Sequence, residues 1–406
     1  MHSVSRSYQP SLEGIRSLAF LLVFAVHFSG PTWTLEGRPF HDYPWLLACQ
    51  LSFAAVPVFF ALSGYLITGV LFDSKERRGY FHVFYLRRVI RVFPLYYLTL
   101  AGVCLIGAGT GAHLLRRHLL LLTYLFNFWP QNGYYNLSPH LQIGHFWSLA
   151  VEEQFYVVWP LVIWFYPNRR QLVRIAWVVI GVAFAGRVAW ALLHSSVPEF
   201  AYQNTLFRGD AIMLGALLAL YRRGREGSLR RLVRPAAGLL TASSAVIVIR
   251  ALMVNQAMPF DRFGLIVIMP LLSLMGVCCV ILCLQPGTVI HRMSTWPWAV
   301  SLGKRTYGLY IFHQLFVPYF LESVIPAFSH TLGRGLGRLV AMSLAFALTW
   351  MLAELAYRLI EEPAMQWKRS IPYGQSGKEF YWLLRSRFVA RLNTANTHLT
   401  SRSAEH

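Results

Sequence analysis

The chain has 406 residues, 56% of them hydrophobic and only 13% charged, with a formal net charge of +20. A soluble domain carries nearer a quarter charged residues, so an ordinary soluble protein is excluded, and the long apolar runs exclude a barrel, which would show short alternating segments. The basic excess falls in short loops between apolar runs, the positive-inside pattern of a membrane protein rather than a nucleic-acid footprint.

The pattern predicts an all-α polytopic membrane protein with about ten transmembrane helices, each near the length a bilayer core needs. The expected spans are 12–30, 47–72, 88–108, 145–166, 173–193, 205–221, 235–254, 264–284, 300–320 and 338–360. The apolar run Leu119 to Phe128 is too short to cross and is expected to be re-entrant or interfacial. With the N-terminus inside, Lys75, Arg77, Arg78, Arg87, Arg169, Arg170, Arg222 and Arg223 all fall in inner loops. Both termini are therefore expected in the cytoplasm. No cleavable signal peptide is expected. A membrane part, 1–365, is expected to precede a basic tail, 366–406, whose Phe380, Tyr381 and Trp382 suit a segment on the anionic inner leaflet or a disordered one. Cys49, Cys104, Cys278, Cys279 and Cys283 lie in or beside apolar runs and suggest packing, since no His or second Cys pair completes a metal set.

The first span carries Glu13, Arg16 and His27. Each charge costs on the order of 3 kcal/mol in a bilayer centre, so such residues seldom face lipid. Eleven residues are close to three turns, which puts Arg16 and His27 on one face, about 16 Å apart at ~1.5 Å per residue. That alignment suggests the two ends of a substrate channel, with neutral His27 a natural general base. Glu13 is too far along the helix to orient it. In the second span, Phe59 to Gly64 places Ser63 and Gly64 where a neighbouring helix can approach closely. Arg88 and Arg91 share a face of the third span. They serve as a positive-inside anchor, but Arg91 lies a turn inside the apolar run, where a guanidinium pair suits phosphate or pyrophosphate.

The fourth span opens with His145, Trp147 and Ser148 and carries Glu152 on the His145 face. A buried carboxylate there needs a partner, for which His27, Arg187 and Arg208 are candidates, or it forms a structural ion pair. Arg208-Gly209-Asp210, Tyr307 with Tyr310 and His313, Glu354, and Glu361 before Pro363 are further polar points in apolar surroundings.

These stretches together resemble acyltransferase family 3, the bacterial membrane O-acyltransferases of cell-surface sugars and some secreted small molecules. The resemblance covers roughly residues 8 to 365. Leu12-Glu13-Gly14-Ile15-Arg16 matches the family's opening, with Glu for Asp; Arg16 and His27 match its Arg-x10-His signature. Phe59 to Gly64, Arg88 with Arg91, Trp147 to Tyr156, Tyr307-x-x-Tyr310-x-x-His313 and Ile360 to Pro363 follow in order. The resemblance implies acetyl-CoA or another acyl-CoA as donor substrate, with no permanently bound cofactor and no metal. It places Arg88, Arg91 and Arg16 on the donor phosphates. A saccharide or glycoconjugate, such as lipopolysaccharide or another envelope polysaccharide, would supply the acceptor hydroxyl on the far side of the cytoplasmic membrane. His27 would act as base or acyl carrier, with Glu152 orienting it and Glu13, Ser63, His145, Ser148, Arg208, Tyr307, Tyr310, His313 and Glu361 in support. The hydrolase-like domain often fused in this family is not expected, which implies direct transfer. A transporter or flippase for a lipid-linked sugar is the alternative; it would favour internal two-fold symmetry, and the sequence shows no repeat.

Overall fold

The structure is a computed structural model and describes residues 9–28, 52–109, 119–128, 136–138, 141–194, 199–224, 227–254, 261–369 and 371. Cys49 and the tail beyond Ile371 lie outside the described residues.

The main helices are α1 (Pro10–Phe28), α2 (Ala55–Ser74), α3 (Tyr80–Gly109), α4 (Phe146–Phe165), α5 (Arg169–Leu193), α6 (Thr205–Arg222), α7 (Arg230–Val254), α8 (Met269–Leu284, entered by a π-turn at Gly264–Ile268), α9 (Thr306–His313) and α10 (Arg334–Ala356). Among the described residues seven helices are long and apolar enough to cross a membrane, or eight if one bent pair counts as a single span. The difference from ten has physical causes. In α4, Glu152-Glu153-Gln154 interrupts the apolar run, and α6 carries Arg208, Asp210 and Arg222 within 18 residues. The expected 300–320 span is not one rod. It breaks after Pro297–Gly303, resumes as α9, and turns by 58° into Val317–Leu332 beyond Gln314-Leu315-Phe316.

Leu119–Leu122 and a 3-10 turn at Phe126–Phe128 form the short non-crossing segment the sequence predicts. A feature the sequence did not suggest is a small antiparallel hairpin, Asn136–Ser138 with Leu141–Gln142. It is tied to the α9 break by Gln142 N–H donating to the Leu315 carbonyl at 3.2 Å.

Large apolar side chains face outward, and several charged residues lie inside a mainly hydrophobic interior, as a lipid solvent demands. Leu105, Trp177, Val178, Leu192 and Met253 are exposed, whereas Arg187, Arg208 and Asp210 are buried. At the centre α2 lies against α6 with backbones almost touching. A Cβ on Gly64 would stand 1.9 Å from the Ile212 carbonyl oxygen, and one on Gly215 would stand 2.0 Å from that of Ala61. Small residues permit such approach where lipid offers no hydrophobic drive between helices. The cytoplasm-expected half of α1 is seated in the same way on the short helices Val289–Ser294 and Pro297–Gly303. There Gly14 meets the Ser294 carbonyl and Gly303 meets that of Glu13. Around Pro160, α4 is tied to α3 by the Tyr80 and Tyr85 hydroxyls, which donate to the Pro160 and Val157 carbonyls at 3.1 and 2.9 Å.

Candidate active site

A cavity of about 150 Å³ opens between α1, α2, α3, α4 and α9. Arg16, Arg88, Arg91 and Lys304 bring cations to its lining, and Glu152, Glu153 and Glu361 bring carboxylates. Arg16 reaches it from α1, fixed by an ion pair to Glu13 one turn back at 2.9 Å. Arg88 lies over the Tyr156 ring, 4.9 Å from its centroid, and over Phe84. Arg91 is within electrostatic reach of Arg16, Arg88 and Glu13. Among the described residues neither Arg88 nor Arg91 forms an ion pair, which leaves two guanidiniums directed at a buried space.

Glu152 sits with this cationic group. Its carboxylate accepts from the Tyr156 hydroxyl at 3.3 Å, and Tyr156 is in turn hydrogen-bonded to Ser63 on α2. Arg16 and Arg88 supply the nearby positive field. Tyr307 spans the cavity wall to donate to the Val92 carbonyl of α3 at 2.7 Å, and Glu361 packs against Gly308. Lys304 also borders an open pocket with Ser301, Tyr357 and the Arg305–Glu354–Arg358 ion-pair group.

At the other end of the cavity Ser148 and Tyr310 hydroxyls meet at 2.6 Å, and Ser148 donates to the His145 carbonyl at 3.0 Å. Beyond them three imidazoles cluster. His313 Nε2 stands 3.2 Å from His27 Nδ1, and the His145 ring lies 4.9 Å from that of His313. The imidazole of His27 is thus partnered by a second imidazole from α9, while Glu152 is occupied with Tyr156. Among the described residues no three His, Cys, Asp or Glu side chains are arranged to hold a metal ion.

Arg208 lies apart from both ends. It is fully buried in a box of Phe60, Trp147 and Tyr202 rings, next to the Arg187–Asp210 pair. Gln154, within the motif on α4, is structural: its side-chain N–H groups donate to the Tyr124 carbonyl and to Asn127, pinning the short 119–128 segment.

Sequence reasoning therefore named most of the charged lining but missed Lys304 and Glu153. A lysine at the edge of an apolar run was the available signal for the first. Glu153 lines the cavity beside Glu152, its next neighbour about 100° around α4.

The fold and the interior together define a multi-pass helical protein with an arginine-lined cavity, one of whose lining residues, Tyr310, neighbours a histidine cluster. Residues 9–354 match the acyltransferase domain of acyltransferase family 3, and the chain belongs to that family. It is 26% identical over 383 residues to the peptidoglycan O-acetyltransferase OatA of Listeria monocytogenes, covering 88% of this chain and 56% of that protein. A Bacillus subtilis protein, YrhL, provisionally named as a peptidoglycan O-acetyltransferase, is 28% identical over 380 residues, covering 88% and 55%. A provisionally named O-acetyltransferase of Staphylococcus aureus is 25% identical over 396 residues, covering 89% and 59%. The chain thus spans somewhat over half the length of these relatives. No solved structure matches it.

Proposed function

We propose that this protein is an O-acyltransferase of the cytoplasmic membrane that moves an acetyl group from cytoplasmic acetyl-CoA to a hydroxyl of an extracytoplasmic saccharide. The names of the relatives favour a peptidoglycan-type glycan over lipopolysaccharide as the acceptor class. One observation carries the reading. The cavity is lined by Arg88 and Arg91, which form no ion pair among the described residues, and by Tyr310, whose ring lies 5.2 Å from that of His313, the partner of His27.

Arg88 and Arg91, with Lys304 at the edge, suit the phosphates of the donor, because planar guanidiniums grip phosphate oxygens bidentately. Glu152 holds Arg16 and Arg88 in register for that task through its field and its bond to Tyr156. The pantetheine arm then runs along α1 for the ~16 Å that eleven helical residues span, bringing the thioester to His27. There His27 takes the proton of the acceptor hydroxyl as its oxygen attacks the thioester carbon. The new C–O bond forms, the C–S bond breaks, and the departing CoA thiolate recovers the proton from the imidazolium.

The test uses membranes containing the full chain, labelled acetyl-CoA and a cell-wall glycan fraction. Label should pass to the glycan, and His27→Ala should abolish transfer while the protein remains in the membrane at wild-type amount. Retained transfer would overturn the assignment of His27. Label held on the protein when acceptor is omitted would make His27 an acyl carrier instead of a base.

A further inference from the structure

The contacts of His313 constrain which nitrogen of His27 is available for chemistry. His313 is fully buried. Its Nδ1 stands 2.7 Å from the Tyr310 carbonyl oxygen, and a carbonyl can only accept, so Nδ1 bears the hydrogen. In a neutral imidazole the other nitrogen is then a bare acceptor. That nitrogen, Nε2, is the one 3.2 Å from His27 Nδ1. The bond between two rings needs one hydrogen, and His313 has none to give, so His27 Nδ1 must supply it. The Val23 carbonyl, one turn back on α1, is a second acceptor near the same ring. His27 is thereby left with its lone pair on Nε2.

We propose that His313 is a positioning residue that fixes His27 in the Nδ1–H tautomer and so presents Nε2 as the base, the part a carboxylate plays for histidine in many hydrolytic sites. When His27 gains a proton on Nε2, its Nδ1–H remains donated to His313, and the charge is shared with a polarisable neighbour in a dry setting. The chain here is Tyr310 carbonyl, His313, His27 and acceptor hydroxyl, with no acid group in it. The inference rests on the acyl-transfer reading for its kinetic consequence but not for the tautomer itself.

The experiment has two arms on the purified full-length protein in lipid nanodiscs. With 15N-labelled histidine, and His27→Ala to assign the signals, NMR should show His27 Nδ1 as a pyrrole-type nitrogen and Nε2 as a pyridine-type one. His313→Leu should mix the two tautomers, and His313→Gln, whose side-chain oxygen can accept the same bond, should keep the wild-type pattern. In the second arm, acetyl transfer by His313→Leu should fall in kcat by at least about tenfold and by no more than the ~10²–10⁴ a general base contributes. KM for acetyl-CoA should be unchanged, and His313→Gln should recover most of the loss. Wild-type His27 protonated on Nε2, or a His313→Leu protein with the wild-type tautomer, would overturn the proposal. The latter result would mean that the Val23 carbonyl suffices. Should His313→Leu not fold, the wild-type and His313→Gln spectra still decide the matter. Absence of any acetyl transfer by the wild type would instead refute the enzymatic reading and leave the NMR arm intact.

Discussion

Arg187 Nη1 lies 2.9 Å from Asp210 Oδ2, with both side chains almost wholly excluded from the surface. The pair joins α5 to α6, and Asp210 also accepts from Ser273 on α8 at 3.1 Å. Three helices therefore meet on one carboxylate. Truncating one member of a buried pair strands the other charge, at a cost of about 3–5 kcal/mol. Asp210→Ala should lower the unfolding midpoint in detergent markedly, with Arg208 adding to the uncompensated positive charge. A shift within error of wild type would show that the pair does not hold these helices.

The α2–α6 contact leaves no room for a side chain. Gly64→Val or Gly215→Val should each force the backbones apart, since the added Cβ would begin about 2 Å from a carbonyl oxygen. Overpacking of this kind costs typically about 1–3 kcal/mol or more where backbone must move. The expected readout is aggregation or loss of a monodisperse peak on size exclusion, and normal yield and profile would refute the close packing.

Donor binding is open to a graded test at Arg88 and Arg91. Hydrogen bonds to charged groups are worth about 1.5–3 kcal/mol, so Arg88→Ala or Arg91→Ala should raise KM for acetyl-CoA by about 10- to 150-fold. Arg88→Lys should recover only part, since lysine keeps the charge but not the planar fork. An unchanged KM in both alanine variants would remove the donor phosphates from this end of the cavity.

Lys304 should behave differently from the half-buried Arg88 and Arg91. It is exposed and borders both the cavity and the outer pocket. Exposed charges are screened over a Debye length of about 8 Å at physiological salt. Lys304→Gln should therefore raise KM at low ionic strength and approach wild type at high salt, while the Arg91→Ala defect should persist. A salt-independent Lys304→Gln effect would place the ammonium in direct contact with the donor.

The residues that sequence reading identified are those whose cost is visible in one dimension. Arg16, Arg88 and Arg91 stand out because charge in an apolar run is expensive, and they do line one cavity. The close helix approach expected at Gly64 was also legible, since a Cβ there would stand 1.9 Å from the Ile212 carbonyl oxygen. Partnerships were not. Nothing in the spacing of His145 and Glu152 shows that Tyr156 and Ser63 take up the carboxylate, or that His313, 286 positions from His27, meets its ring. Such pairings are fixed by how helices distant in sequence cross. The expected count of ten spans is not reached among the described residues for a related reason. A run such as 300–320 has the composition of a single helix, and only the local geometry at Lys304-Arg305 and Gln314-Leu315-Phe316 breaks it.

That break has a chemical consequence. A helix that stops leaves its last carbonyls without intrahelical partners, and α9 stops at His313. The Tyr310 carbonyl takes a ring hydrogen from His313 at 2.7 Å, and the Ile311 carbonyl lies 3.1 Å from His145 Nε2 and must take its hydrogen there. Two orphaned backbone oxygens thus dictate where the hydrogens reside on two buried imidazoles, and through His313 on a third. Had α9 continued straight, those oxygens would have bonded to the next turn and been lost to the rings. The end of one helix thereby writes the proton map of the histidine cluster.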